Sequence, residues 1–375
     1  MNRRQFVLNS IACASINVAA SRLRGQGHST YGKSVLVLGG TEFLGPQVVL
    51  AALDAGYDVT LFNRGITHPE LFPMLRKLRG TRNVDPTKEN LGALSTGRWD
   101  AVIDVWPSEP EMVTSAATLL HDRTDHYVYV SSIAAYDVKN YAHVGTAEDA
   151  TVRVFAGHED DYGARKAESE RRLQALIGPK LTIVRPGAIE GSPSWCSGGI
   201  METWLSRAID GRRHIGPGDG TDPIQLVDVK DVGSFITQAI AKRTFGTFNL
   251  VRAWVPLREH VQHCREVTHS EAEFVWIPLS FLSAHGLPPN PVIGDGKPQF
   301  FTGWIPNPAI KGLYQISNRK ALATGWRPRD FAATATDTLA PCAVNTPVRV
   351  AINETLPPAR EAEVLKAWED TDRHA

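Results

Sequence analysis

The chain has 375 residues, of which 42% are hydrophobic and 21% are charged, a composition typical of a folded globular protein rather than a disordered one. Forty basic and forty acidic residues give a formal net charge of zero, which excludes a global field that would attract nucleic acid or an anionic membrane. The four cysteines are far apart and show neither metal-ligand spacing nor a disulfide framework, so the sequence predicts no bound metal.

The N-terminal segment resembles a twin-arginine export signal. Arg3 and Arg4 precede a mildly apolar run that ends in the small residues Ala19 and Ala20. We therefore expect residues 1–30 to be a signal and linker, and the protein to be periplasmic or otherwise exported. The alternative is a basic tail on a cytoplasmic protein. No other stretch has the roughly 18 uninterrupted apolar residues that a membrane span requires, so no span is expected in the mature chain.

From Lys33 to about Lys180, short β-branched runs alternate with longer amphipathic segments, as in repeated βαβ units. The predicted strands are SVLVLG, DVTLFN, TRNV, DAVIDV, HYVYVSS and LTIVRPG, whereas MLRKLRG is predicted to be one face of a short helix. This pattern predicts an α/β fold with a Rossmann-type, doubly wound parallel sheet in residues 31–190, to which part of the C-terminal half returns. Residues 191–341 are expected to form mainly a smaller substrate-binding lobe, and residues 342–375 a C-terminal tail or helix.

The segment from Val35 to Leu53 predicts a strand, a glycine turn and a helix. In a Rossmann-type sheet this turn brings backbone amides to a pyrophosphate at a helix N-terminus, where a side chain would block the approach. Glu42 stands where the middle glycine of such a turn is expected, so its carboxylate has to point outward or cap an amide. The predicted cofactor-binding residues of the turn are Gly39, Gly40, Thr41, Phe43, Leu44 and Gly45.

The ends of the following strands predict which nicotinamide cofactor binds. After the second strand, NAD enzymes usually carry an acid that binds the adenine ribose, and here Asn63 and Arg64 stand instead. A cation without a carboxylate suits a 2′-phosphate, so NADP is favoured over NAD; the alternative is that Arg64 is a solvated loop residue. Further predicted cofactor contacts are Asp85, near the adenine amine, and Asp104 and Val105, at the end of the fourth strand.

Two further motifs predict catalysis. In YVSSIAAY, Ser131 and Ser132 follow a buried strand, so a hydroxyl emerges at the sheet edge where ligands bind. Tyr162 and Lys166 are four residues apart in a segment of helix-forming composition and therefore share one face. A free tyrosine has a pKa of about 10, too high for a base at neutral pH. We expect Lys166 to lower that pKa and to bind the nicotinamide ribose, while Tyr162 exchanges the proton and Ser132 hydrogen-bonds the substrate oxygen.

The order of glycine turn, strand-ending serine and Tyr162–Lys166 pair resembles the extended short-chain dehydrogenase/reductase family, specifically its NAD(P)-dependent epimerase/dehydratase group. The resemblance covers roughly residues 33–341 and includes RPGAIEG and IQLVDVKDV. It implies that Pro186 lies near the nicotinamide carboxamide, and that Arg185 or Gln225 contacts a substrate hydroxyl, although structural roles for the latter two are equally compatible. Family members often dimerise through two helices, here the segments 107–122 and 162–177, so a homodimer is expected.

The resemblance also narrows the reaction. In the family's sugar-nucleotide dehydratases an acidic pair follows the catalytic hydroxyl residue; here Ile133 and Ala134 take those places, so 4,6-dehydration is not expected. Nucleotide-sugar enzymes of the family tend to carry an arginine just ahead of an IHVxD motif, where this chain has Ile224. These departures leave an epimerase or a simple reductase that acts on a hydroxyl or carbonyl carbon of a sugar-like small molecule.

Two non-catalytic interpretations stay open. The opening GGTEFLG also resembles chloroplast stem-loop RNA-binding proteins, relatives that use the same fold for nucleic acid. The zero net charge and the dispersed basic residues argue against RNA binding. A third interpretation is a redox-sensing protein that holds the cofactor without turnover.

Overall fold

The computed structural model describes residues 32–105, 109–157, 161–191, 199–289, 300–342 and 356–372. The predicted export signal lies outside the described residues. The strands are, in chain order, β1 (Ser34–Leu38), β2 (Asp58–Asn63), β3 (Arg76–Arg79), β4 (Ala101–Asp104), β5 (Tyr127–Val130), β6 (Leu181–Pro186), β7 (Ala188–Glu190), β8 (Arg213–Pro217), β9 (Pro223–Ile224), β10 (Leu226–Asp228), β11 (Gly246–Leu250), β12 (Val255–Pro256) and β13 (Glu273–Ile277). The α-helices are α1 (Gly45–Asp54), α2 (Pro110–Leu120), α3 (Tyr162–Ile177), α4 (Ile200–Asp210), α5 (Val229–Lys242), α6 (Leu257–Thr268), α7 (Leu279–Ala284), α8 (Arg319–Ala323), α9 (Phe331–Cys342) and α10 (Pro358–Asp372).

Seven strands form one sheet in the order β3-β2-β1-β4-β5-β6-β11, and every pairing in it is parallel. The strand β1 pairs with β2 on one side and with β4 on the other, so the strand order reverses at β1. A crevice opens at such a point outside the carboxyl ends of the strands, and it is the usual ligand site of this architecture. The predicted Rossmann-type α/β fold is confirmed.

Helices cover both faces of the sheet. One core contains α1 and α5 packed on one face, and another contains α2 and α3 packed on the other. Because both faces are covered, the central strands are almost continuously apolar, as parallel sheets require. The strand β11 joins the sheet from the second half of the chain and pairs with β6.

The segment MLRKLRG was predicted to be helical, and this prediction is wrong. Residues Arg76–Arg79 form β3, which pairs with β2 at the edge of the sheet. Only Leu78 of this strand packs against the core, while Arg76 and Arg79 are exposed. Charged residues are common on edge strands because they discourage pairing with other chains, so the charge density concealed a strand.

A separate core, distinct from the two on the faces of the sheet, forms the lobe beyond it. Its elements are α4, α6, α9, α10 and the short ladder of β8 with β13. The helix α10 is joined to this core by Glu361, which is 3% exposed. Its Oε1 accepts hydrogen bonds from Arg207 at 2.6 Å and from the backbone amide of Ile215 at 2.8 Å, and its Oε2 lies 3.1 Å from Nδ1 of His214. Among the described helices, none has the length and apolar character needed to cross a membrane.

Candidate active site

The glycine turn connects β1 to α1 and leaves no room for side chains. Gly39 and Gly40 have φ angles of +113° and +95°, values that glycine adopts without a steric cost. A Cβ on Gly45 would stand 2.7 Å from the Cα of Gly40, and a Cβ on Gly39 would stand 2.6 Å from Cγ2 of Val105. The turn therefore has the bare backbone that a pyrophosphate at the N-terminus of α1 requires.

A cavity of about 280 Å³ opens at this turn. It brings together all six predicted turn residues with Asn63, Arg64 and Val105. The side chain of Glu42 is exposed at the cavity wall, so it can point toward solvent rather than into the phosphate position. The residues present fit a dinucleotide, because the glycine backbone, a helix N-terminus and cationic side chains line one space.

Two arginines surround the loop after β2. Asn63 accepts hydrogen bonds from the Gly65 amide at 3.0 Å and from the Arg79 guanidinium. Arg64 is exposed, and within the described residues it makes no hydrogen bond or ion pair. The loop thus presents an uncommitted cation at the cavity where an NAD enzyme would carry an acid.

Asp85 and Asp104, two predicted cofactor contacts, lie elsewhere. Asp85 does not line the cavity; its carboxylate accepts hydrogen bonds from Thr87 and pairs with Lys88 at 3.1 Å. Asp104 is fully buried and forms a two-pronged ion pair with Arg82, at 2.8 and 2.6 Å, while also accepting a hydrogen bond from the hydroxyl of Tyr127. Both carboxylates are engaged by other residues of the same chain, so we do not retain them as direct cofactor contacts.

Arg82 was not singled out from the sequence, although it lines the cavity next to the glycine turn. It is 7% exposed, and besides Asp104 its Nε donates to the carbonyl of Met112 at 3.2 Å. The signal in the sequence was an arginine three residues after one strand and an acid at the end of the next, two positions that meet at one edge of a parallel sheet.

Ser132, Tyr162 and Lys166 lie together at the carboxyl edge of the sheet. Tyr162 is the first residue of α3, which Asp161 caps by accepting a hydrogen bond from the Ala164 amide at 3.0 Å. The Ser132 hydroxyl acts on the Tyr162 phenol and lowers its pKa, and Tyr162 is 42% exposed. Lys166 is buried one turn further along α3, with Nζ 5.8 Å from the centre of the Tyr162 ring.

The electrostatics of this group differ from the sequence-based expectation. Burial raises the pKa of the Tyr162 phenol above its usual value, whereas the hydrogen bond to Ser132 and the charge of Arg165 oppose that rise. Burial also lowers the pKa of Lys166 to about 7, although the nearby carboxylates of Asp104 and Glu170 act to raise it. Lys166 donates to the carbonyl of Val130 at 2.6 Å. Ser132 and Arg165, rather than Lys166, are therefore the side chains that lower the pKa of the phenol.

The predicted substrate contacts Arg185 and Gln225 are both used internally. Arg185 is 3% exposed and forms a two-pronged ion pair with Glu170, at 2.9 and 2.5 Å. Gln225 donates to the carbonyls of Arg252 and Ile316 and accepts a hydrogen bond from the Ile316 amide. We therefore assign neither to a substrate. Pro186 is buried at the end of β6, next to the β5 edge that carries Ser132.

The described residues contain no cluster of histidine, cysteine, aspartate and glutamate side chains that could hold a metal ion. The chemistry available here thus consists of an alcohol, a phenol, an ammonium group and a cavity suited to a dinucleotide.

Comparison with known proteins agrees with this architecture. The model of the NAD dependent epimerase/dehydratase family matches residues 35–250. UDP-glucose 4-epimerase from Thermotoga maritima superposes with a TM-score of 0.57 at 18% identity, over 82% of this chain and 97% of that one. WbmG from Bordetella bronchiseptica, solved with NAD, gives a TM-score of 0.58 at 17% identity, over 84% of this chain and 95% of that one. A human epimerase family protein solved with NADPH gives 0.51 at 20% identity, over 81% and 98%.

One similarity points to a different activity. The chain is 28% identical over 217 residues to chloroplast stem-loop binding protein of 41 kDa b from Arabidopsis thaliana, which covers 54% of this chain. The match spans about half the length of that relative, 53% of it.

Proposed function

Because this chain belongs to the NAD dependent epimerase/dehydratase family, we propose that it is a nicotinamide-dependent epimerase or reductase acting on a hydroxyl or carbonyl carbon of a sugar-like small molecule. The observation that carries the proposal is the placement of Ser132, Tyr162 and the buried Lys166 together at the sheet edge that also carries the glycine-turn cavity, with Nζ of Lys166 5.8 Å from the centre of the Tyr162 ring. A bound nicotinamide supplies the hydride donor or acceptor in such a site.

The side chains divide the remaining work. Tyr162 moves the proton on the substrate oxygen, because it is the most exposed group of the three. Ser132 orients that oxygen by hydrogen bonding. Lys166 is buried, and its amino group would hold a ribose hydroxyl of the cofactor. Because burial raises the pKa of the phenol, Tyr162 is protonated at neutral pH and is available as the proton donor to a developing alkoxide. The reverse reaction requires the phenolate, which the positive charge of an oxidised nicotinamide would favour.

The substrate we propose lacks a nucleotide diphosphate. Ile224 occupies the position of the diphosphate-binding arginine of related enzymes, is 2% exposed, and packs in the core of the lobe. This position therefore offers no cation to a phosphate. A free sugar or a related polyol fits such a site better.

We propose NADP rather than NAD as the cofactor. Arg64 stands unpaired at the cavity and Arg79 lies beside Asn63 in the same loop region, so the adenosine end of the cavity is cationic. Reversing the charge with Arg64→Glu should weaken NADP binding at least tenfold and leave NAD binding within about twofold, because the lost interaction is one charge-assisted contact. Arg98→Glu, an exposed arginine on the Asp125 ion pair, is the control.

The experiment that tests the reaction begins with the ligand that copurifies with the protein, identified by mass spectrometry. Turnover of a panel of neutral sugars is then measured both as deuterium transfer from labelled NADPH, which reports reduction, and as interconversion of epimers without added cofactor, with UDP-glucose as the comparison. Tyr162→Phe should keep cofactor affinity and lower transfer and epimer interconversion by about 100-fold or more. Tyr57→Phe, in which the same hydroxyl is removed from a residue bonded to Thr237, should leave transfer unchanged. Equal transfer by wild type and Tyr162→Phe would overturn the proposal.

Export by the twin-arginine route also belongs to this proposal. A twin-arginine substrate crosses the membrane folded, so a bound cofactor would travel with it, and outside the cytoplasm there is little free cofactor to exchange. Hydride removed and returned in one turnover is then the workable chemistry, which favours an epimerase. Replacing Arg3 and Arg4 with lysines should retain a reporter fused to residues 1–30 in the cytoplasm; unchanged export would contradict this route.

A second candidate function follows from the similarity to a stem-loop binding protein. Under this alternative the protein binds an RNA hairpin through its basic residues, and affinity falls steeply with salt. Hairpin binding that tightens at low salt and is the same in Tyr162→Phe would favour it, provided that no sugar in the panel exchanges deuterium.

A further inference from the structure

A buried polar cluster lies directly behind Ser132, Tyr162 and Lys166. It centres on Glu170, which is 2% exposed and one helical turn after Lys166 on α3. The Glu170 carboxylate accepts a hydrogen bond from the hydroxyl of Ser131 and the two-pronged ion pair from Arg185 on β6. Arg185 also lies 4.5 Å from the centre of the Tyr136 ring and donates to the carbonyl of Glu148 at 3.3 Å.

The helix α3 thereby contacts the end of β5 at two consecutive residues. Lys166 Nζ donates a hydrogen bond to the carbonyl of Val130 at 2.6 Å, and the Glu170 carboxylate accepts a hydrogen bond from the hydroxyl of Ser131. The amide of Ser131 in turn donates to the carbonyl of Val184 on β6 at 2.8 Å. The next residue is Ser132, whose side chain meets the Tyr162 hydroxyl. We call the group Lys166, Glu170, Arg185 and Ser131 the strand clamp.

We propose that Glu170 is a positioning residue for the reaction: through Ser131 it fixes the end of β5 and thereby the position of Ser132 relative to Tyr162. Since Tyr162 and Glu170 are carried by the same helix, the clamp sets the distance between two elements that each bring one reacting group. The guanidinium group of Arg185 holds the Glu170 carboxylate in place through two hydrogen bonds. This inference rests on the proposed function only in naming Ser132 and Tyr162 as the reacting pair.

A purely structural role would make a different prediction. Another buried side-chain hydrogen bond joins the segments of β5 and β6 near the start of β6, where Nε2 of His126 lies 2.7 Å from Oγ1 of Thr182 and Thr182 donates to the carbonyl of Thr244. Thr182 is fully buried. If Ser131 only supports the fold, removing its hydroxyl should resemble removing the hydroxyl of Thr182.

The test compares Ser131→Ala with Thr182→Val in the full chain. The readout is the ionisation of Tyr162, followed as phenolate absorbance within milliseconds of a pH jump, before alkaline unfolding, with Tyr162→Phe subtracted. Displacement of Ser132, whose hydroxyl lowers the pKa of the Tyr162 phenol, should raise the Tyr162 pKa in Ser131→Ala by about half a unit to one unit. Thr182→Val should not shift it, and Ser131→Thr, which keeps the hydroxyl, should restore most of the wild-type value.

A Tyr162 pKa that is unchanged in Ser131→Ala, or raised equally by Thr182→Val, would overturn the inference. If Ser131→Ala does not fold, Ser131→Cys replaces it, since the thiol keeps the volume and is a weaker donor. The titration needs neither substrate nor cofactor, so its outcome is separate from that of the deuterium-transfer assay. Where a substrate is found, Ser131→Ala should lower kcat roughly tenfold with KM for the cofactor unchanged.

Discussion

Gly45→Ala tests whether the glycine turn is the cofactor site. The added Cβ would stand 2.7, 2.8 and 2.9 Å from the Cα, C and N atoms of Gly40, all of them backbone atoms that no rotamer change can move. Optimal carbon contacts begin at about 3.5 Å, so Gly40 and α1 have to separate by roughly 0.8 Å. That displacement stretches a hydrogen bond of about 2.9 Å from a turn amide to a phosphate beyond its useful range.

The expected loss follows from this displacement. One hydrogen bond to a charged group contributes about 1.5–3 kcal/mol, which corresponds to a roughly 10- to 150-fold weaker Kd. Overpacking should also lower the free energy of unfolding by about 1–3 kcal/mol. The assay is fluorescence titration with NADPH and with NADH, together with urea unfolding.

Gly92→Ala is the matched control, because its Cβ would meet nothing closer than Oδ1 of Asn90 at 3.6 Å. Its cofactor affinity should equal that of wild type. If Gly45→Ala binds NADPH and NADH as tightly as wild type does, the cavity at residue 45 is not the dinucleotide site and the proposed enzyme loses its cofactor.

Two further predictions concern buried charges near the sheet edges. Arg82→Leu removes the partner of the fully buried Asp104 and should lower the free energy of unfolding by about 3–5 kcal/mol in urea titrations. The control Arg98→Leu breaks the exposed pair with Asp125 and should lower that free energy by less than about 1 kcal/mol. Equal losses in the two variants would show that the Arg82 pair is not desolvated. Burial lowers the pKa of His126 to about 4 from 6.5, so the unfolded chain binds a proton first as the pH falls, and stability is lost between those two values. Between pH 7 and pH 4.5, the free energy of unfolding of wild type should fall by about 2–3 kcal/mol more than that of His126→Gln. A parallel pH dependence of the two free energies would contradict this prediction.

The first βα unit could be predicted from the sequence because its signals are local. The run SVLVL, the glycines and the helix ending at Gly56 each follow from the conformational preferences of adjacent residues, and β1 and α1 have nearly the predicted bounds. The strand β3 could not be predicted in the same way, since its residues are mostly charged and its strand conformation is set by pairing with β2.

The direction of polar side chains also depends on residues distant in sequence. Arg185 faces Glu170, and Gln225 is paired with the backbone of Arg252 and Ile316. Nothing adjacent to either residue distinguishes such internal pairing from contact with a sugar. Ser132, Tyr162 and Lys166 could be named in advance because strand ends and helical spacing place them at one edge, whereas the pairing of Glu170 with Ser131 needed the packed structure.

The carboxylate of Glu361 has a consequence for the order in which the molecule is made. Glu361 lies about 150 residues after the groups it binds, which are Arg207, His214 and the amide of Ile215. It is therefore synthesised later than all three. Until then the Arg207 guanidinium group lacks its buried carboxylate partner, which disfavours its burial. We therefore expect the lobe to close around Arg207 only after translation has passed residue 361.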